Sequence, residues 1–142
     1  MTHASHTANP LLTAFVGSLL FMSALQAQAP QGRSAPELEA FYRQNCVRCH
    51  GLDGSAHSLD GKKLGGADFT ALAKALKAQG DPATDREVRT MVKTIQKGLL
   101  FGLSMPSWKH QLSEEESLRM IREVLLKAEP GKVIGGGAVP QS

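Results

Sequence analysis

Cysteine is nearly absent from this chain. Two among 142 residues are too few for a disulfide scaffold or a four-thiolate zinc module. Aromatic residues are scarce at 5%, so there are few large rings to fill a core. Neither sign of charge dominates: 16 Lys plus Arg stand against 13 Asp plus Glu, a formal net charge of +3, which gives nucleic-acid binding no support. No strand-period segment of useful length and no internal repeat occurs, and no apolar run reaches the roughly 20 residues that span a bilayer. With 42% apolar and 20% charged residues, the composition is that of one ordinary globular domain. Its chemistry must come from a small set of residues.

The first 29 residues contain no Lys, Arg, Asp or Glu. Residues 11–25, LLTAFVGSLLFMSAL, have the length of a signal-peptide apolar region, and small residues follow in LQAQAP. Residues 1–29 are therefore read as an export signal cleaved after Ala27 or Ala29, with Pro30 counting against the second site. His3, His6 and the terminal amine stand where Lys or Arg is usual, which keeps an uncleaved anchor open as the alternative. No Cys lies near the cleavage region, so a lipoprotein is excluded. The remaining aromatics are Phe41, Tyr42, Phe69, Phe101 and Trp108, a thin core that a large apolar cofactor would supplement.

Residues 30–132 read as one domain. Ser34-Ala35-Pro36-Glu37 starts a helix, with Pro in the first turn and an acid where the macrodipole favours it; this helix runs to about Cys46. Residues 51–67, rich in glycine and without apolar periodicity, are expected to be an irregular loop. Phe69, Leu72, Ala73 and Leu76 recur at helical spacing, predicting a second helix between Asp68 as N-cap and Gly80 as C-cap. Thr84 and Glu87 have capping-box spacing and open a third helix with Val88, Met91, Val92 and Ile95 on one face, ended by Gly98. Gly102 and Pro106 make LLFGLSMPSW a loop. Ser113 and Glu116 open a fourth helix, with Leu118, Ile121, Val124 and Leu125 on its apolar face, closed by Pro130 and Gly131. Residues 133–142, VIGGGAVPQS, read as a flexible tail by composition. The fold class is all-α, about four helices with long loops.

Cys46-Val47-Arg48-Cys49-His50 carries the chemistry. On one helical turn, thiols at i and i+3 share a face and can add to the two vinyl groups of a haem as thioethers, while His50 brings an imidazole nitrogen to the iron. Covalent bonds also keep the cofactor on an exported protein. Three other chemistries compete. A redox dithiol uses Cys-x-x-Cys at a helix N-terminus within a βαβ unit, and no such strands are read here. A Cys46–Cys49 disulfide would close a trivial loop. Zinc needs four ligands, and only His57 and His110 are left to complete an awkward adjacent pair of Cys49 and His50.

CVRCHG, with Asp53 and Gly54 just after it, resembles the attachment site of the class I (mitochondrial-type) c-type cytochromes, in particular the small bacterial monohaem electron carriers. GLSMPSW resembles the distal-ligand loop of the same family. The resemblance covers about residues 36–130 and extends to the order of elements. It implies a cytochrome c-like fold around one covalent haem c, in which the last helix crosses the first and sets Leu38, Phe41 and Tyr42 against Ile121, Val124 and Leu125. The sixth iron ligand is to be chosen among His57, His110, Met91, Met105 and Met120. Met105, in a loop bounded by Gly102 and Pro106, is preferred, because Met91 and Met120 fall on or beside apolar helix faces as core filler, His57 is close behind His50, and His110 sits just beyond Trp108. In the family, the second nitrogen of the axial His commonly bonds the carbonyl of a Pro in the following loop. No Pro occurs here between Pro36 and Pro82, and a carbonyl within residues 61–64 is expected instead. Trp108 resembles the aromatic that packs near a haem propionate; a plain core Trp is the alternative.

The expected cofactor-binding set is thus Cys46, Cys49, His50, Met105 and Trp108, with His50 and Met105 on the iron and no catalytic residue. This reads as a periplasmic carrier that shuttles one electron without bond-making on a substrate. Two alternatives are kept: a haem enzyme or ligand sensor with a displaceable sixth ligand, and a dedicated electron-transfer subunit of a dehydrogenase or oxidase complex. The expected partners are redox proteins with an acidic docking surface, drawn by Lys62, Lys63, Lys74, Lys77, Lys93, Lys97 and Lys109. Neither nucleic acid nor stable membrane insertion after leader cleavage is expected.

Overall fold

Residues 32–138 are described by the computed structural model; the leader reading of residues 1–29 lies outside them, as do residues 139–142 of the expected tail. Five α-helices and no strand are found among the described residues, the all-α fold expected. Helix α1 spans Ala35–Asn45. Ser34 opens it, its backbone N–H donating to Glu37 Oε2 at 2.7 Å and its hydroxyl at 2.6 Å. One residue later α2, Val47–His50, makes a single turn that Gly51 ends at φ +79°. A Cβ at Gly51 would come 2.7 Å from the His57 carbonyl oxygen, so only glycine lets the following loop fold back on this turn.

Helix α3, Phe69–Gln79, has Asp68 as N-cap, its carboxylate accepting from the Ala71 N–H at 2.9 Å, and Gly80 as C-cap. Helix α4, Asp81–Lys97, starts straight after Gly80, three residues before the expected Thr84. The reason is local: Gly80 at φ +82° turns the chain into α4 and Pro82 supplies a first-turn φ. Thr84 is then inside the helix, and its hydroxyl donates back to the Gly80 carbonyl at 3.0 Å instead of capping. Helix α5, Glu114–Arg119, does use its capping box, with Ser113 Oγ accepting from the Glu116 N–H at 3.0 Å and Glu116 Oε2 accepting from the Ser113 N–H at 2.9 Å. It continues as a wide π-type turn, Met120–Val124, and a 3-10 turn, Leu125–Lys127.

The core joins the two chain ends. Leu38, Phe41 and Tyr42 of α1 share one buried cluster with Ile121, Val124 and Leu125, and α1 packs on the Met120–Val124 turn, the crossing the resemblance implies. Arg33 reinforces it from outside, its guanidinium 2.9 Å from Glu116 Oε1 while Arg119 donates to the Arg33 carbonyl at 2.7 Å. The expectation of a flexible tail does not describe residues 133–138. Ile134 is buried in the core, its N–H donating to the Leu52 carbonyl at 2.9 Å and its carbonyl accepting from Arg43 at 3.2 Å. Composition, dominated by glycine, hid the one apolar side chain that anchors this segment.

Candidate cofactor site

Helix α2 and its N-cap Cys46 set both cysteines and His50 on one turn, and the wall facing them comes from α4 and the loop after it. A cavity of about 260 Å³ lies between, and its lining includes Cys46, Cys49, His50, Met105 and Trp108. The walls are mainly apolar: Phe69, Leu72, Met91, Ile95, Leu99 and Leu125 take part.

His50 is held from two sides. Its Nδ1 lies 3.0 Å from the Ala67 carbonyl oxygen; a carbonyl only accepts, so Nδ1 carries the proton and Nε2 keeps its lone pair for a metal. The Phe69 ring stacks on the imidazole with centroids 4.5 Å apart and planes 15° from parallel. Burial holds the imidazole pKa below its ordinary value, against the Ala67 hydrogen bond that raises it. The carbonyl partner is therefore Ala67 and not one of residues 61–64. The cause is Gly66: its N–H donates to the Cys49 carbonyl at 2.8 Å, and a Cβ there would lie 2.4 Å from that oxygen and 2.6 Å from His50 Nδ1. The Gly65-Gly66 pair was the available signal, since close backbone approach is what glycine permits.

Cys46 and Cys49 are free thiols. Burial, with Cys49 beside it, pushes the Cys46 thiol up to about 12. Among the described residues no three His, Cys, Asp or Glu side chains converge to hold a metal ion.

The Met105 loop is pinned to the end of α4. The Leu99 N–H donates to the Met105 carbonyl at 2.9 Å, the Trp108 N–H to the Ile95 carbonyl at 2.9 Å, and Ser107 Oγ to the Gln96 carbonyl at 2.6 Å. Gly98 permits this approach, because a Cβ there would lie 2.5 Å from the Met105 carbonyl oxygen. Trp108 meets Phe41 edge-on, centroids 5.4 Å apart and planes at 82°, so one part of the ring belongs to the core and another lines the cavity. Of the other candidate ligands only Met91 lines this cavity. Met120 is buried in the core, His110 is exposed, and His57 lines a separate cavity of about 610 Å³ beyond Val47, Arg48 and Asp53. Lys62 lies on the turn beside that second cavity, paired with Asp60 at 2.9 Å.

Two free thiols, an imidazole with a free Nε2, a thioether and apolar walls fit haem c: the thiols can be alkylated by vinyl groups, nitrogen and sulfur suit iron, and the walls suit a porphyrin. A family model described as cytochrome C oxidase, cbb3-type, subunit III, matches residues 33–122. No curated protein and no solved structure gives a match.

Proposed function

The chain belongs to the cbb3-type cytochrome c oxidase subunit III family, a family of class I c-type cytochrome domains with covalent haem c, and on that premise we propose that Cys46 and Cys49 would form the thioethers and that His50 and Met105 would ligate the iron. The chain is an electron carrier with redox protein partners. Haem c supplies the one-electron Fe(III)/Fe(II) couple. The residues do the rest. Ala67 fixes the imidazole tautomer and orientation, so that Nε2 need not reorganise between oxidation states. The bonds from Leu99, Ser107 and Trp108 hold the Met105 backbone, and a Met/His pair raises the potential over a bis-His site. Phe69, Leu72 and Ile95 exclude water. The periplasm is the proposed compartment, with residues 1–29 as the export leader, residues 30–132 as the haem domain, and Trp108 at the haem edge. Among the described residues no helix is long and apolar enough to cross a membrane.

The observation that carries this reading is the convergence of Cys46, Cys49, His50 and Met105 on one apolar cavity. The test is optical: pyridine haemochrome, oxidised and reduced spectra and carbon monoxide challenge on wild type, Met105→Ala and Met91→Leu. A c-type spectrum is expected, with a sulfur-to-iron band retained in Met91→Leu and lost in Met105→Ala, and carbon monoxide binding by Met105→Ala alone. Carbon monoxide binding by the wild type would instead support the enzyme or sensor reading. Neither His57 nor His110, the histidines open to that reading, lines the cavity. Two observations favour a dedicated subunit of an oxidase over a freely diffusing shuttle: the oxidase named by the family description, and an exposed apolar loop beside Met105.

A further inference from the structure

His50 is held at Nδ1 by one hydrogen bond, to the Ala67 carbonyl oxygen at 3.0 Å. A single bond fixes one edge of an imidazole and leaves its plane free to swing about that edge. The plane matters as well, because the orientation of an axial ring decides how its π orbitals meet those of the iron. In this chain a second contact acts on the plane. The Phe69 ring lies against the imidazole with centroids 4.5 Å apart and planes 15° from parallel, and both residues line the cofactor cavity.

Phe69 is itself built to stay in place. It is buried and is the first residue of α3. Its N–H donates to the Gly54 carbonyl at 2.7 Å. Asp68, just before it, accepts from the Ala71 N–H at 2.9 Å and from the Thr70 hydroxyl at 2.7 Å. Three residues upstream, the Gly66 N–H donates to the Cys49 carbonyl at 2.8 Å. Residues 66–69 are therefore a strap laid along residues 49–54 and bonded at both ends, and it carries both groups that touch the imidazole. The loop after the cysteine motif closes on the root of the Phe69 side chain: a Cβ at Gly54 would stand 3.5 Å from the Phe69 Cβ and 3.1 Å from the Ala128 Cβ.

We propose that Phe69 is a positioning residue for the axial histidine: its ring face sets the plane of the His50 imidazole, so that the imidazole keeps one orientation when the iron changes oxidation state. This rests on the reading of His50 as an iron ligand and adds the residue that orients it. A benzene ring suits the task for two reasons. It is flat, so the two rings meet over a face, and a swing of the imidazole about the Ala67 bond would drive its edge into the Phe69 ring. It also has no donor or acceptor, so the Nδ1 proton stays on the Ala67 carbonyl. An aliphatic side chain of similar bulk fills the space but has no such face.

The test is proton NMR of the haem-loaded protein, wild type against Phe69→Leu, Phe69→Tyr and Leu76→Ala. In the oxidised state the shifts of the haem methyl groups report the plane of the axial imidazole, which a loss of stability alone does not move. Leu76 is buried on the same helix but does not line the cavity, so Leu76→Ala costs stability at a distance from His50. Phe69→Leu is expected to change the spacing of the methyl shifts and to slow electron self-exchange between oxidised and reduced protein. Phe69→Tyr, which keeps the flat face, should restore the wild-type pattern. Leu76→Ala should keep that pattern while unfolding at lower urea concentration. In the reduced wild type, a nuclear Overhauser effect between the ring protons of His50 and Phe69 is expected. Wild-type methyl shifts in Phe69→Leu overturn the proposal, and so does an equal change in Leu76→Ala. Absence of the Overhauser effect in wild type also overturns it, a result that needs no variant to fold. Failure of the ligand reading looks different: wild type itself would lack the c-type spectrum.

Discussion

At the scale of single residues, a buried carboxylate ties the loop after the haem motif to the far end of the chain. Asp53 is buried and accepts the Ser55 N–H at 3.0 Å on Oδ1 and the Gly131 N–H at 2.8 Å on Oδ2. Burial raises its pKa, but the hydrogen bonds from Ser55 and Gly131 outweigh it and the net direction is down. A carboxyl depressed in the folded state contributes stability that is present above its unfolded value of about 3.9 and is lost as pH falls through the folded value. Asp53→Asn should therefore destabilise by about 1–2 kcal/mol near neutral pH. By urea unfolding, the gap should narrow as the pH drops below about 4. A gap constant across that range would mean the charge contributes nothing. The motif residues were legible because covalent haem attachment constrains type and spacing together. Ala67 was not legible, since any residue supplies a carbonyl and only the path of the chain through Gly66 selects which one.

Among the elements, capping and glycine signals located α1, α3 and α5 because each stop or start is a local hydrogen-bond problem. They misjudged the start of α4, where the positive φ of Gly80 serves two helices at once. The last described segment is the larger departure. Ile134 places an apolar side chain and two backbone hydrogen bonds on the core, so Ile134→Ala should cost about 2–4 kcal/mol. A chain ending at Lys132 should lose at least as much. Thermal unfolding of both variants against wild type measures this; an unchanged midpoint would return residues 133–138 to the status of a tail.

For the whole molecule, the cavity couples cofactor to stability. At about 24 cal/mol per Å³, about 260 Å³ of unfilled apolar space corresponds to at most about 6 kcal/mol, an upper bound because the cavity is not sealed. Cys46→Ala/Cys49→Ala, which cannot form the thioethers, should unfold at lower urea concentration than the haem-loaded chain and bind an apolar dye. Equal midpoints would show that the fold does not depend on the cofactor. Five redox-relevant residues drawn from two segments more than fifty positions apart meet only through packing of α1 against the Met120–Val124 turn and of α4 against the loop that follows it.

The sequence by itself determined the all-α class, the capped starts of α1, α3 and α5, and the five-residue run whose spacing matches covalent haem attachment. These depend on periodicities and hydrogen bonds within a few residues of each other. Only the tertiary structure decided which of five candidate ligands share the cavity, which carbonyl orients His50, that Ile134 is core, and that residues 99–103 turn apolar side chains outward. Each of those depends on the path of the backbone in space, and on which neighbours it brings within contact, over distances along the chain that no local pattern records.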